Sequence, residues 1–177
     1  MSKKINNYII LDFETGGLDC KKNPIIEFGC VVVSGKTYEQ ILQYDNIIRP
    51  YDDSLVYEEQ ATRVHGISKE MALRDGITLK QFAQDFETIC NEANTENSKI
   101  GRPMLVGHNI QFDKNFLCEA LVNRCKLDLS KLLSGSIDHC GNFQPDYIDT
   151  IQLCKNVVGH SNDTSIKFNL TEYWEAT

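Results

Sequence analysis

Asp12 and Glu14 are the first residues in this chain whose types and spacing point to chemistry, within Leu11-Asp12-Phe13-Glu14-Thr15-Gly16-Gly17-Leu18. They close an apolar run, Tyr8-Ile9-Ile10-Leu11, that reads as a strand. Residues i and i+2 of a strand share a face, so the two carboxylates project together. Like charges held that close repel unless a cation sits between them. Oxygen donors of this kind suit hard divalent ions such as Mg²⁺ or Mn²⁺. A solvated strand end is the plainer alternative; the apolar residues before the pair and the Thr-Gly-Gly turn after it weigh against that.

A second acidic candidate, Asp113, lies about a hundred residues later, in Met104-Leu105-Val106-Gly107-His108-Asn109-Ile110-Gln111-Phe112-Asp113. This segment reads as a short buried strand, a turn and a helix start. Asn109 is the candidate N-cap. Phe112, Phe116, Leu117, Ala120 and Leu121 recur at helical spacing and supply an apolar face. Asp113 then falls in the first turn, where the helix macrodipole favours negative charge. Taken alone, Asp113 is an ordinary first-turn acid and His108 an ordinary strand-end histidine.

The elements that must position these residues have an α/β order. Strands are predicted at Tyr8–Asp12, Ile26–Val33 and Gln40–Ile48, with a Ser34-Gly35 turn between the last two. A helical stretch is predicted near Leu55–Val64. A clearer helix runs over Leu79–Cys90, where Leu79, Phe82, Ala83, Phe86, Ile89 and Cys90 mark one face. Asn91–Arg102 reads as an exposed loop, Met104–Gly107 as the fourth strand and Phe112–Cys125 as the next helix. Ser134–Pro145, rich in turn formers, reads as a loop or small insertion. No repeat and no long linker divides the chain, so residues 1–177 are expected to form one domain.

Together, Asp-x-Glu-Thr-Gly and the later His-Asn-x-x-Phe-Asp resemble the first two motifs of the DnaQ-like 3′–5′ exonucleases, the DEDD superfamily. Its members include proofreading subunits of bacterial replicative polymerases. Asn23-Pro24-Ile25-Ile26-Glu27-Phe28-Gly29 resembles the family's entry to its second strand, His65-Gly66-Ile67 its HGI element, and Asp149-Thr150-Ile151 its non-catalytic Asp-Thr step into a helix. The resemblance covers nearly the whole chain. It implies a ribonuclease-H-like fold, a mixed five-stranded sheet flanked by helices, with strands one and four leaving the sheet side by side. It further implies metal-dependent hydrolysis of phosphodiesters at single-stranded nucleic-acid 3′ ends. Asp12, Glu14 and Asp113 would be the catalytic residues and would hold two Mg²⁺ or Mn²⁺ ions. Thr15, Gly16, Gly17, Leu18, His65, Asn109 and Phe112 would bind the substrate. DNA in proofreading or repair is the expected substrate, with a DNA polymerase subunit as a partner. RNA trimming and a non-catalytic module that binds chain ends or a polymerase are the alternatives.

One part of the family pattern is absent. His-x-Ala-x-x-Asp, which supplies the general base and a fourth carboxylate in the histidine-type branch, does not occur in these 177 residues. The segment Asn169–Thr177 resembles the helix that precedes that motif, and it shows no glycine C-cap and no terminal Lys or Arg. The expectation is a domain truncated before its last catalytic helix, and poorly active or inactive in this form.

Composition sets the remaining bounds. The 41% hydrophobic and 24% charged residues are those of a globular domain with a core of ordinary size. No run approaches the length of a membrane span, and Met1-Ser2-Lys3-Lys4 leads into a strand rather than a signal-peptide core. The seven cysteines are scattered without Cys-x-x-Cys spacing, which predicts reduced thiols in a cytoplasmic protein rather than disulfides or a zinc site. The net charge of −7 is unusual for a nucleic-acid binder, since phosphate affinity comes largely from Lys and Arg. A weak intrinsic grip, supplemented by a partner or by short substrates, is the expected consequence.

Overall fold

The computed structural model describes residues 6–95 and 101–158. The segment Asn169–Thr177 lies outside them. Three strands come first: β1 (Tyr8–Thr15), β2 (Ile25–Val33) and β3 (Gln40–Ile47). Helices α1 (Glu59–His65), α2 (Lys69–Asp75) and α3 (Leu79–Ala93) come next, then β4 (Met104–Gly107) and α4 (Ile110–Leu117). A π-helical turn, Cys118–Arg124, extends α4. Strands β5 (Gly135–Ile137) and β6 (Phe143–Pro145) form a separate hairpin, and β7 (Tyr147–Asp149) leads into α5 (Thr150–Val158).

The main sheet has five strands in the order β3-β2-β1-β4-β7. Pairs β1/β2 and β2/β3 are antiparallel, whereas β1/β4 and β4/β7 are parallel. This is the mixed ribonuclease-H-like sheet expected from the sequence.

Alternation along β1 explains how it serves the site. Ile9, Leu11, Phe13 and Thr15 point inward and are buried, while Ile10 and Asp12 are exposed and Glu14 is half-buried on the opposite face. The inward face meets α3, whose Phe82, Phe86, Ile89, Cys90 and Ala93 fall on one buried stripe. Phe28 is the hub, with ring centroids 5.2 Å from Phe13, 5.0 Å from Phe82 and 6.0 Å from Phe86. Truncating such a buried phenylalanine to alanine costs about 3–5 kcal/mol, so this cluster fixes the position of β1 against the helices. Thr78 caps α3 by accepting the Gln81 N–H at 3.1 Å, and Ser68 caps α2 through Met71 at 3.2 Å.

Several local expectations are corrected. The first helix begins at Glu59 rather than Leu55, because the Asp52–Ser54 segment closes a turn of its own, with Asp52 accepting from the Ser54 N–H and hydroxyl. Helix α3 runs on to Ala93, three residues into the expected loop. The predicted helix over Phe112–Cys125 starts earlier, at Ile110, and changes to π-helical geometry at Cys118. Ser134–Pro145, expected as a loop or small insertion, holds the β5–β6 hairpin, closed at Asp138, whose carboxylate accepts the Cys140 and Asn142 N–H groups.

Candidate active site

Strand β1 outruns its parallel neighbour. Only Tyr8–Ile10 pair with Met104–Val106, so the edge of β1 beyond Ile10 faces the β4–α4 turn instead of a strand. Gly107 permits this closeness: a Cβ there would lie 2.5 Å from Ile110 Cδ1 and 3.2 Å from the Leu11 carbonyl oxygen. Asp113, 2% exposed in the first turn of α4, uses Oδ1 to accept the Phe13 N–H at 3.2 Å. The backbone donor lies between Asp12 and Glu14, so the third carboxylate is tied to the strand that carries the other two.

The acidic face is wider than the motifs alone predict. Across the sheet, Asp12 opposes Gly29, which opposes Asp45, and Glu14 opposes Glu27. Cross-strand partners share a face, so four carboxylates face the same side. Between Glu14 and Thr15 the β1/β2 register slips by one residue, from Glu27 to Ile25. The extra residue, Ile26, belongs to β2, and such a bulge bends the strand that carries it, here opposite the start of the Thr-Gly-Gly turn.

Electrostatics reflect this crowding. Burial, then the Asp12 charge, pushes the Asp113 carboxyl up to about 7. Desolvation raises Asp12, opposed by the Phe13 N–H and by His108. Glu14 is raised by desolvation and then by Asp12. Glu27 is raised by desolvation, then by Asp45 and Glu14. His65 is lowered by desolvation, against the pull of Glu27. The site thus carries surplus negative charge on oxygen donors, the chemistry that suits a hard divalent cation. Among the described residues, however, no three His, Cys, Asp or Glu side chains form a ready-made metal cage.

Seven of the ten predicted site residues are divided between two clefts, with Asp12 in one and Glu14 in the other, and Asp113 lines neither. The first, about 380 Å³, is lined by Asp12 together with Asp45, Gly107, His108 and Thr150. His108 Nδ1 lies 3.0 Å from Thr150 Oγ1, which donates to the Gly107 carbonyl at 3.3 Å. The second, about 300 Å³, gathers Glu14, Thr15, Gly17, Leu18, His65 and Phe112. Leu18 is 84% exposed, so a large apolar side chain stands free at the cleft. His65 Nδ1 accepts the Ile67 N–H at 3.0 Å, which leaves Nε2 as the proton-bearing nitrogen of the neutral ring.

Two predicted substrate residues line neither cleft. Gly16 packs inside the turn, where a Cβ would lie 2.6 Å from Pro24 Cδ. Asn109 sits at the α4 N-cap position but in the left-handed conformation (φ 58°), and its side chain makes no cap hydrogen bond. Its backbone N–H donates to Asp149 Oδ1 at 3.2 Å, and Ile151 N–H donates to the same oxygen at 2.9 Å. Asp149 therefore closes the β4–α4 turn and caps α5 at once. Glu58, Gln60, Ala61 and Val64 also line the second cleft and escape sequence reasoning. They belong to α1 and its approach, and the HGI element beside them is the one available signal.

A ribonuclease-H-like sheet that brings an Asp-x-Glu-Thr-Gly strand against an acid of His-Asn-x-x-Phe-Asp defines a DEDD-superfamily 3′–5′ exonuclease domain. The exonuclease family model RNase_T matches residues 9–173, and the chain belongs to that family. It is 26% identical over 151 residues to the PolC-type DNA polymerase III of Thermotoga maritima, covering 85% of this chain and 9% of the polymerase. It is 25% identical over 122 residues to ribonuclease T of Baumannia cicadellinicola, covering 67% of this chain and 55% of that enzyme. The chain thus spans a small part of the polymerase and about half of the ribonuclease. Product-bound exonuclease I shares the fold with a TM-score of 0.69 at 14% identity, over 94% of this chain and 34% of that one. E. coli exonuclease I in complex with a dT13 oligonucleotide gives 0.68 at 15% identity, over 93% of this chain and 32% of that one.

Proposed function

We propose that this domain is a metal-dependent 3′–5′ exonuclease that hydrolyses phosphodiester bonds at single-stranded nucleic-acid 3′ ends, with DNA as its main substrate. The observation that carries the reading is the Asp113–Phe13 hydrogen bond, which sets a third acid beside Asp12 and Glu14. In this reading Asp12, Glu14 and Asp113 hold two Mg²⁺ or Mn²⁺ ions. Such ions are commonly bound through one or two carboxylates plus substrate phosphate oxygens, so a substrate supplies ligands that the protein alone lacks. When bound, a metal pair stabilises both the attacking and the leaving oxygen of the phosphodiester.

The protein groups do the rest. Leu18 and Phe112 grip the terminal base from the second cleft, as apolar and aromatic groups do with unpaired bases. Thr15 and Gly17 allow close approach of the sugar, and His65 forms part of the same cleft wall. Gly16 shapes the turn, and Asn109 acts through the backbone link to Asp149 rather than by touching substrate.

These 177 residues contain no His-x-Ala-x-x-Asp. A chain acting without that general base would work about 10²–10⁴-fold more slowly. Similarity to ribonuclease T keeps RNA as the alternative substrate. Similarity to the PolC-type polymerase supports a polymerase partner. Among the described residues no helix is long and apolar enough to cross a membrane, and the free cysteines favour a reducing cytoplasm. Incubation of labelled single-stranded DNA and RNA with Mg²⁺ or Mn²⁺ tests the reading. Faster shortening of DNA supports it, and shortening of RNA alone replaces the substrate.

A further inference from the structure

The second cleft has two walls from separate parts of the chain: the turn after β1 and the approach to α1. One buried side chain joins them. Asn23 is 1% exposed, and its Nδ2 reaches Glu58 Oε1 at 3.1 Å, the Val56 carbonyl at 3.0 Å and the Gly16 carbonyl at 3.3 Å. Its Oδ1 accepts the Asp19 N–H at 2.9 Å. Those partners fix the amide's orientation. Turned over, its oxygen would face three acceptors and its NH₂ would face an N–H.

The backbone reinforces the same junction. Glu58 N–H donates to the Gly16 carbonyl at 2.7 Å, and Val56 N–H donates to the Lys22 carbonyl at 2.8 Å. Gly17 shows how tight the contact is: a Cβ there would lie 2.5 Å from both Asn23 Nδ2 and Glu58 Oε1. The Glu58 carboxylate is thereby laid over the Gly17 backbone and into the cleft lining, although Glu58 itself is a surface residue.

We propose that Asn23 is a positioning residue for the terminal-nucleotide cleft, its buried amide locking the Gly16–Leu18 turn and the Glu58 carboxylate into a single wall. This rests on reading that cleft as the seat of the 3′-terminal nucleotide. Asn23 touches no reacting atom and acts through the turn and through Glu58. A wall set before binding spares the nucleotide the cost of ordering it, which is how preorganisation strengthens binding.

Calorimetric titration of the full chain with thymidine 5′-monophosphate in Mn²⁺, beside titration with Mn²⁺ alone, tests the proposal. Asn23→Ala and Gly17→Ala should each weaken nucleotide binding about 10-fold, the scale of one hydrogen bond to a charged group, and leave Mn²⁺ binding unchanged. Glu58→Ala, at an exposed position, should weaken it as well. Combining it with Asn23→Ala should add less than the product of the two effects. A folded Asn23→Ala protein that binds nucleotide like wild type overturns the proposal, even if its melting temperature falls. Full multiplication in the double variant does so too. Should Asn23→Ala fail to fold, unchanged affinity in Glu58→Ala is the overturning result. A wild-type chain that binds Mn²⁺ but no nucleotide overturns the reading of the cleft together with the proposal.

Discussion

Asp113 accepts the backbone N–H of Phe13 at 3.2 Å, a bond that spans 100 residues of sequence and ends between Asp12 and Glu14. It makes a buried carboxylate part of the hydrogen bonding of β1, at the place where β4 no longer pairs with that strand. The bond brings acid to the strand, and the resulting charge crowding has measurable consequences.

The first is a dependence of stability on pH. The folded state holds Asp113 at about 7, against an ordinary value of 3.8, through burial and then the Asp12 charge. A raised value means that the folded state binds the proton more tightly than the unfolded chain. Its stabilising contribution is complete below about 3.8 and is lost as pH rises through about 7. Calorimetry in EDTA should therefore show the advantage of Asp113→Asn over wild type growing across that window. The asparagine oxygen can still accept from Phe13, so the substitution removes the charge and keeps the bond.

Divalent ions should reverse that penalty. Mn²⁺ is expected to raise the melting temperature of the wild-type chain near pH 8, since a ligand that binds only the native state stabilises it. Asp12→Ala should abolish most of the rise and Glu14→Ala part of it. Thermal melts with and without the ion give the comparison.

Leu18 and Phe112 should matter for the chain end and not for the metal. Stacking on a base is worth about 1–3 kcal/mol, so Phe112→Ala should weaken oligonucleotide binding by about 5- to 150-fold. Leu18→Ala, 84% exposed in the free protein, should weaken binding without lowering stability. Anisotropy of a 5′-labelled strand, paired with melting curves, separates binding from folding.

Thiol reactivity tracks burial. Cys140 is exposed, whereas burial pushes Cys30 up to about 12 and Cys90 well above its usual value. Brief alkylation of the native protein near neutral pH, read by mass spectrometry, should label Cys140 first and leave Cys30 and Cys90 untouched.

Much of this molecule is legible in its sequence, for reasons that particular residues make plain. The five-stranded order is readable because β1, β2 and α3 carry strong apolar periods that tertiary packing then uses, as with Phe13, Phe28 and Phe82. Helix α2 escapes notice because it buries a single residue, Ala72, and is held by the Ser68 cap rather than by an apolar stripe. The β5–β6 hairpin reads as loop because every residue of Gly135–Ile137 is exposed and no alternation marks it. Asp12, Glu14 and Asp113 stand out by spacing and motif. Asn109 is a cap by residue type, yet its backbone is left-handed and its side chain makes no cap hydrogen bond. The Asn23–Glu58 junction links positions 35 apart, and only tertiary structure brings such pairs together.

The most direct test of the central claim is hydrolysis of a short 5′-labelled single-stranded DNA in Mn²⁺, comparing wild type with Asp12→Ala. If Asp12 holds the catalytic metal, shortening proceeds slowly from the 3′ end, one nucleotide at a time, stops in EDTA and is absent from Asp12→Ala. Shortening that survives EDTA or Asp12→Ala, cutting within the strand, or no metal-dependent engagement of the 3′ end would contradict the claim.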